Sequence, residues 1–341
     1  MSSAGYECSH NGGRRAVLAA IAGACLPGTL LAQAPKAPRV ALVDPAEQTD
    51  NMAEGRNPFW GALLAELRQL GYVEGKTIAI ERWSGGGDTG SYGELARKIV
   101  ATRPRIVVTR GRTITSTVAA ASSEIAIVAV GSISSDLRAS LARPGGNVTG
   151  VHGSADDQQI YSKQLEFMRE LTKANARIAW LGPQLLWDGP VGAAARAGAK
   201  QAALELRPVF VSSPVTVAAI EAAFAAARNG KFDGVLVAPA VEFFPHRLAV
   251  GKLALETRLP SVANGVNYVE AGALLSYSSL LVDNYRRAAH YVDRILRGAK
   301  PGDLPIEQPS RMQLVVNLTT AKALGITVPK SLLLRADRLI E

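Results

Sequence analysis

The chain has 341 residues, with 38 Lys and Arg against 29 Asp and Glu for a formal charge of +9, and it is 48% hydrophobic and 20% charged. Such a length and hydrophobic content suit two domains with buried cores and exclude an intrinsically disordered chain. Both cysteines, Cys8 and Cys25, lie near the N-terminus, which leaves the rest without a thiol for a disulfide, a zinc site or a nucleophile.

Arg14 and Arg15 precede an apolar run over 16–26, and small residues follow the helix breakers Pro27 and Gly28. This pattern predicts a secretory signal peptide over 1–34, cut after Ala32 or Ala34, and a soluble exported protein in the periplasm. The run is too short to span a bilayer. The paired arginines leave general and twin-arginine export both open. Cys25 follows Ala22-Gly23-Ala24, without the larger aliphatic residue that a lipoprotein signal places three positions before its cysteine. The presequence carries two arginines and Glu7, so the basic excess belongs to the exported chain. That excess is dispersed, as where Arg286 and Arg287 sit between Asp283 and Asp293. Nucleic acid and anionic membranes need clustered charge and are not expected partners.

From Arg39 onward, short apolar runs alternate with segments of helical period. The spacing predicts a strand over 40–43 and a helix over 59–70, with Phe59, Leu63, Leu67 and Leu70 on one side and Gly71 closing it. Next come a strand over 77–83, a helix over 92–101, strands over 105–109 and 126–130, and a helix over 115–121 between these two. After the turn Arg143-Pro144-Gly145-Gly146-Asn147 a strand over 148–151 is predicted. Asn147-Val148-Thr149 satisfies a glycosylation sequon, but the turn and strand account for it. A second series has strands over 177–181, 208–211, 234–237 and 260–263, with helices over 158–171, 192–204, 217–227 and 245–257. A strand over 273–277, a helix over 282–296, a turn over 299–305, a strand over 313–316 and short helices complete the chain. This alternation predicts two open α/β units in tandem, each a parallel sheet covered on both faces. The tail completes the sheets already built, passing between the lobes.

Gly85-Gly86-Gly87-Asp88-Thr89-Gly90 matches G-x-G-x-x-G between a strand and a helix. It follows the second strand rather than the first, and Arg110 and Arg112 stand where a ribose-binding acid is needed. A variable surface loop is the expected reading, with an NADP-binding oxidoreductase as the alternative. His152, His246 and His290 lack metal spacing, no G-x-S-x-G elbow occurs, and Ser132 and Ser154 have no base nearby in sequence. No cofactor, metal or catalytic residue is expected.

Ligands of open parallel sheets bind beyond the carboxyl ends of the strands. The loops there are small and polar, and the expected ligand-binding residues are Asp44, Pro45, Gly111, Arg112, Thr113, Gly131, Ser132, Gly153, Ser154, Pro183, Pro239, Ala240, Asn264, Tyr277 and Ser278. Trp83, Trp187, Tyr268 and Tyr277 are candidates for stacking on a flat ligand.

Longer motifs go further. They include 67–76 (Leu-Arg-Gln-Leu-Gly-Tyr-Val-Glu-Gly-Lys), 140–150 (Ser-Leu-Ala-Arg-Pro-Gly-Gly-Asn-Val-Thr-Gly), Val269-Glu270-Ala271-Gly272 and Leu275-Ser276-Tyr277. Tyr285-Arg286-Arg287-Ala288-Ala289, 291–301 and 317–325 continue the series. With these motifs the chain resembles the exported solute-binding proteins of ABC transporters, a group that includes aromatic amino-acid binders. The resemblance implies a type I periplasmic-binding-protein fold: two doubly wound parallel-sheet lobes joined by three crossovers, near 151–154, 277–281 and 307–311. The first lobe would then comprise 38–152 with 279–306, and the second 153–278 with 307–341. It implies a non-enzymatic monomer that closes on a small solute, such as an amino acid or a carboxylate, and hands it to an ABC permease in the inner membrane. A ligand-sensing module for a membrane signalling partner would share these features. Relatives commonly carry Asp-Pro after the fourth strand, where this chain has Gly131-Ser132, and small residues where it has Arg110 and Arg112. The departure favours an anion over an α-amino group as ligand.

Overall fold

The computed structural model describes residues 37–153, 158–309 and 311–341. The predicted signal peptide, with Cys8 and Cys25, and the predicted ligand residue Ser154 lie outside them.

The first lobe is built from β1 (Arg39–Asp44), α1 (Pro58–Gln69), β2 (Ala79–Ser84), α2 (Tyr92–Ala101), β3 (Ile106–Arg110), α3 (Arg112–Ala121), β4 (Ala126–Gly131) and β5 (Val148–His152). Its strands form one parallel sheet in the order β2-β1-β3-β4-β5. Val40, Ala41, Leu42 and Val43 of β1 are all buried, as a strand covered by helices on both faces requires. Asn57 starts α1: its side chain accepts from the Phe59 and Trp60 amides at 2.9 and 3.1 Å, and Pro58 occupies the first helical position. Asn57→Ala is expected to cost about 1–2 kcal/mol, the usual penalty for a lost N-cap. Urea unfolding followed by tryptophan fluorescence measures it.

The second lobe contains α4 (Gln158–Leu171), β6 (Arg177–Gly182), α5 (Gln184–Asp188), α6 (Pro190–Gln201), β7 (Glu205–Phe210), α7 (Val217–Asn229), β8 (Gly234–Val237), α8 (Arg247–Glu256), β9 (Ser261–Ala263), α9 (Val266–Glu270) and β10 (Leu275–Ser279). The chain then forms α10 (Leu281–Leu296), whose Tyr285, Ala288, Ala289 and Val292 pack with Phe59, Leu63 and Leu67 of α1 in the first lobe's core. It returns past β5, where the Glu307 carbonyl accepts from the His152 amide at 2.8 Å. β11 (Met312–Asn317), α11 (Leu318–Leu324), α12 (Lys330–Arg335) and β12 (Arg338–Ile340) finish the second sheet, ordered β12-β11-β10-β9-β8-β6-β7.

Two features depart from the expected pattern. β11 runs antiparallel to β10, with Met312 opposite Ser279, because the chain re-enters the lobe at the end of the sheet where β10 left it. β7 begins at Glu205 rather than at Pro208. It is an edge strand, where a proline's missing N–H breaks no sheet pairing.

Candidate binding cleft

The carboxyl ends of both sheets face a cleft of about 430 Å³, a volume suited to a small solute. The first lobe contributes Pro45 after β1, Gly111, Arg112 and Thr113 at the start of α3, Gly131 and Ser132 after β4, and Gly153 after β5. Facing them are Pro183 after β6, Pro239 and Ala240 after β8, Asn264 after β9 and Ser278 near the end of β10. Small residues allow the first-lobe loops to pack closely. A Cβ on Gly131 would sit 3.3 Å from the Gly111 amide nitrogen, and one on Gly153 would sit 3.0 Å from Gly131 Cα.

Asp44 and Tyr277, expected in the cleft, do not line it. Asp44 is fully buried behind the wall. Its Oδ1 accepts from the amides of Ala46 and Glu47 at 3.0 and 2.8 Å, and its Oδ2 from Trp60 Nε1 at 2.8 Å and Arg110 Nη1 at 3.2 Å. Tyr277 packs edge-on against Phe167 of α4, with ring centres 5.5 Å apart, while its neighbour Ser278 reaches the cleft. Of the other stacking candidates, Tyr268 lines the cleft. Trp187 instead packs on Trp180 at 5.2 Å, and Trp83 packs against the first lobe's core.

The loop read as a variable surface turn also belongs to the wall. Gly85 and Gly87 donate to the carbonyls of Asp44 and Pro45, both at 2.9 Å, and Gly87 and Thr89 line the cleft. Asp88 Oδ1 accepts from the Gly90 amide at 3.0 Å, so a carboxylate occupies the position where a dinucleotide fold would present that amide to a phosphate.

Sequence reasoning missed the segment Val241–His246, a 3₁₀ helix after β8. It reaches from the second lobe into the first. Phe244 is 2% exposed, its ring centre lies 4.6 Å from that of Phe59, and the Arg110 guanidinium sits over it at 4.8 Å. Val241 lies against Gly111, where a Cβ would be 3.2 Å from the valine methyls. Glu242 Oε1 accepts from the Tyr92 hydroxyl at 3.0 Å. The doublet Phe243-Phe244 was the available signal, but an apolar pair reads equally as local core.

Electrostatics divide this region. Burial works against the Arg110 charge, yet the Asp44 carboxylate beside it holds its pKa above the ordinary value. Glu242 is raised, chiefly because burial penalises its charged form. A raised folded pKa contributes stability that is complete below the unfolded glutamate value of about 4.3 and is lost as pH rises through the folded value. Glu242→Gln is therefore expected to flatten the decline in urea midpoint as pH rises above about 4. An unchanged pH profile would contradict this.

Among the described residues no group of three His, Cys, Asp or Glu could hold a metal ion, and no helix is long and apolar enough to cross a membrane.

A family model described as ABC transporter substrate binding protein matches residues 53–340. A search of curated proteins finds no match. Among solved structures, a conserved domain protein from Vibrio cholerae is similar at a TM-score of 0.74 and 22% identity, over 89% of this chain and 100% of that one. An ABC domain from Streptococcus pneumonia in complex with L-Trp gives 0.74 and 21%, over 89% and 100%. The ligand-free, open structure of a substrate-binding protein with adhesive properties from Clostridium difficile gives 0.57 and 18%, over 89% and 99%. The shared architecture is the type I periplasmic-binding-protein fold.

Proposed function

Because the chain belongs to the ABC transporter substrate-binding protein family, we propose that it is the periplasmic solute-binding component of an importer, closing two lobes on a small solute and presenting the closed form to an inner-membrane permease. The observation that carries this reading is the cleft, walled by the strand ends of two separate sheets, so that one small molecule touches both lobes. A ligand that contacts both lobes binds the closed form better than the open one, and this difference drives closure. The chain crosses between the lobes after β5, after β10 and before β11, and these crossings serve as the hinge. A structurally similar protein described in complex with L-Trp supports a ligand of modest size.

A thermal-shift screen of the exported chain against amino acids, carboxylates, nucleosides and sugars tests the reading. A specific solute at 100 times its Kd stabilises by about 2.7 kcal/mol. Small-angle scattering with a hit is expected to show compaction. A saturating solute that leaves the scattering curve unchanged would refute hinge closure.

A further inference from the structure

We propose that Glu242 makes lobe closure sensitive to pH, because it is a second-lobe carboxyl covered by the first lobe and hydrogen-bonded across the seam. The segment Val241–His246 meets the first lobe along its length. Val241 lies against Gly111, Phe244 against Phe59 and Arg110, and Glu242 Oε1 against the Tyr92 hydroxyl at 3.0 Å. On the same seam, a Cβ on Gly87 of the first lobe would lie 3.7 Å from the Val215 carbonyl of the second. Glu242 is 8% exposed and lines the cleft, so parting the lobes here returns its carboxyl to water.

The preferred protonation state follows from the oxygen that Glu242 meets. Tyr92 is 1% exposed, and its oxygen is within hydrogen-bond reach of two others, Glu242 Oε1 at 3.0 Å and the Pro45 carbonyl at 3.2 Å. One hydroxyl proton serves only one of them. With Glu242 ionised, Tyr92 donates to the carboxylate and the Pro45 carbonyl loses that donor. With Glu242 protonated, its own O–H donates to the Tyr92 oxygen, Tyr92 donates to Pro45, and both bonds form. Burial acts in the same direction, since it penalises the charged form. Open lobes leave Glu242 near the ordinary glutamate value of about 4.3. Closure therefore takes up a proton, and the closing equilibrium weakens as pH rises above about 4.

The charged and titratable groups around Glu242 are Asp44 at the end of β1, Asp88 before α2, Tyr92 on α2, Arg110 at the end of β3 and Tyr268 on α9, with His246 and Arg247 after it in the chain. Burial raises the Glu242 pKa most; its own amide, Tyr92 and Arg110 work against burial, and Asp44 works with it. Arg110 is paired with Asp44 at 3.2 Å, which offsets much of its charge. A solute that binds the closed form then binds more tightly in acid. That consequence rests on the solute-binding reading; the pH dependence of closure does not.

The test is small-angle scattering of the solute-free exported chain at about pH 5 and about pH 8, with Glu242→Gln separating the carboxyl from imidazoles that change charge over the same range. The native radius of gyration is expected to be larger at the higher pH. Glu242→Gln, whose amide N–H can donate to Tyr92 as the acid does, should lose at least half of that difference by staying compact. Tyr92→Phe removes the cross-lobe bond in both states and should enlarge the molecule at both pH values. It decides the matter if circular dichroism shows the glutamine variant unfolded. Equal native radii at the two pH values, a Glu242→Gln chain that tracks the native one, or a Tyr92→Phe chain as compact as the native one would each overturn the proposal. A solute that raises the melting temperature leaves the solute-binding reading standing even then. If no class of solute does so but the radii change as expected, that reading falls and pH-sensitive closure stands.

Discussion

Asp44→Ala is expected to destabilise the protein by about 3–5 kcal/mol, the cost of removing one partner from a buried ion pair. Asp44 is fully buried and Arg110 is 6% exposed, so the orphaned guanidinium could not recover water without disrupting the wall. The same carboxylate holds the Trp60 indole and two loop amides, which would lose their acceptor together. Urea unfolding measures the loss. Arg110→Met in the Asp44→Ala background should restore at least half of it, because the uncompensated charge is then gone and a long apolar side chain remains between Phe59 and Phe244. A loss below about 1 kcal/mol would mean that the pair is effectively solvated.

Phe244→Ala is expected to weaken solute binding by tenfold or more and to enlarge the ligand-free molecule in scattering. Truncating a buried phenylalanine costs about 3–5 kcal/mol, and each 1.4 kcal/mol is a tenfold change in an equilibrium. Phe244 belongs to the second lobe by sequence, but its contacts with Phe59 and Arg110 are contacts with the first. Much of its burial therefore depends on the lobes being together, and its loss falls on closure as well as on folding. Phe244→Leu should keep most of the effect of the native ring. Unchanged affinity and unchanged dimensions in Phe244→Ala would show that the segment does not hold the lobes.

The cleft was legible because its main determinant is local. A run such as Val40-Ala41-Leu42-Val43 marks a strand, and small residues mark the loop at its end, so Gly111, Gly131, Ser132 and Gly153 could be placed without knowing their neighbours. The direction of an individual side chain could not. Asp44 ends a strand and looks like a ligand residue until Trp60 and Arg110 are brought to it from 16 and 66 positions away. Tyr277 depends on which face of β10 looks toward α4. Glu242 and Phe244 acquire their roles only through Tyr92 and Phe59 in the opposite lobe, which no local pattern encodes. The reversal of β11 likewise follows from where the chain re-enters the sheet, not from any residue in the strand.

The placement of α10 bears on how the protein is made. The helix that completes the first lobe's core lies at 281–296, after five of the second sheet's seven strands. As the chain emerges N-terminus first, the sheet of β1 to β5 must wait for a partner more than 120 residues downstream of β5. No single cut in the chain separates the two lobes into complete folding units. Assembly thus depends on contacts distant in sequence, which slow folding. For a chain expected to be exported, slow folding is useful, because it lengthens the time in which a translocation machine that needs an unfolded substrate can act.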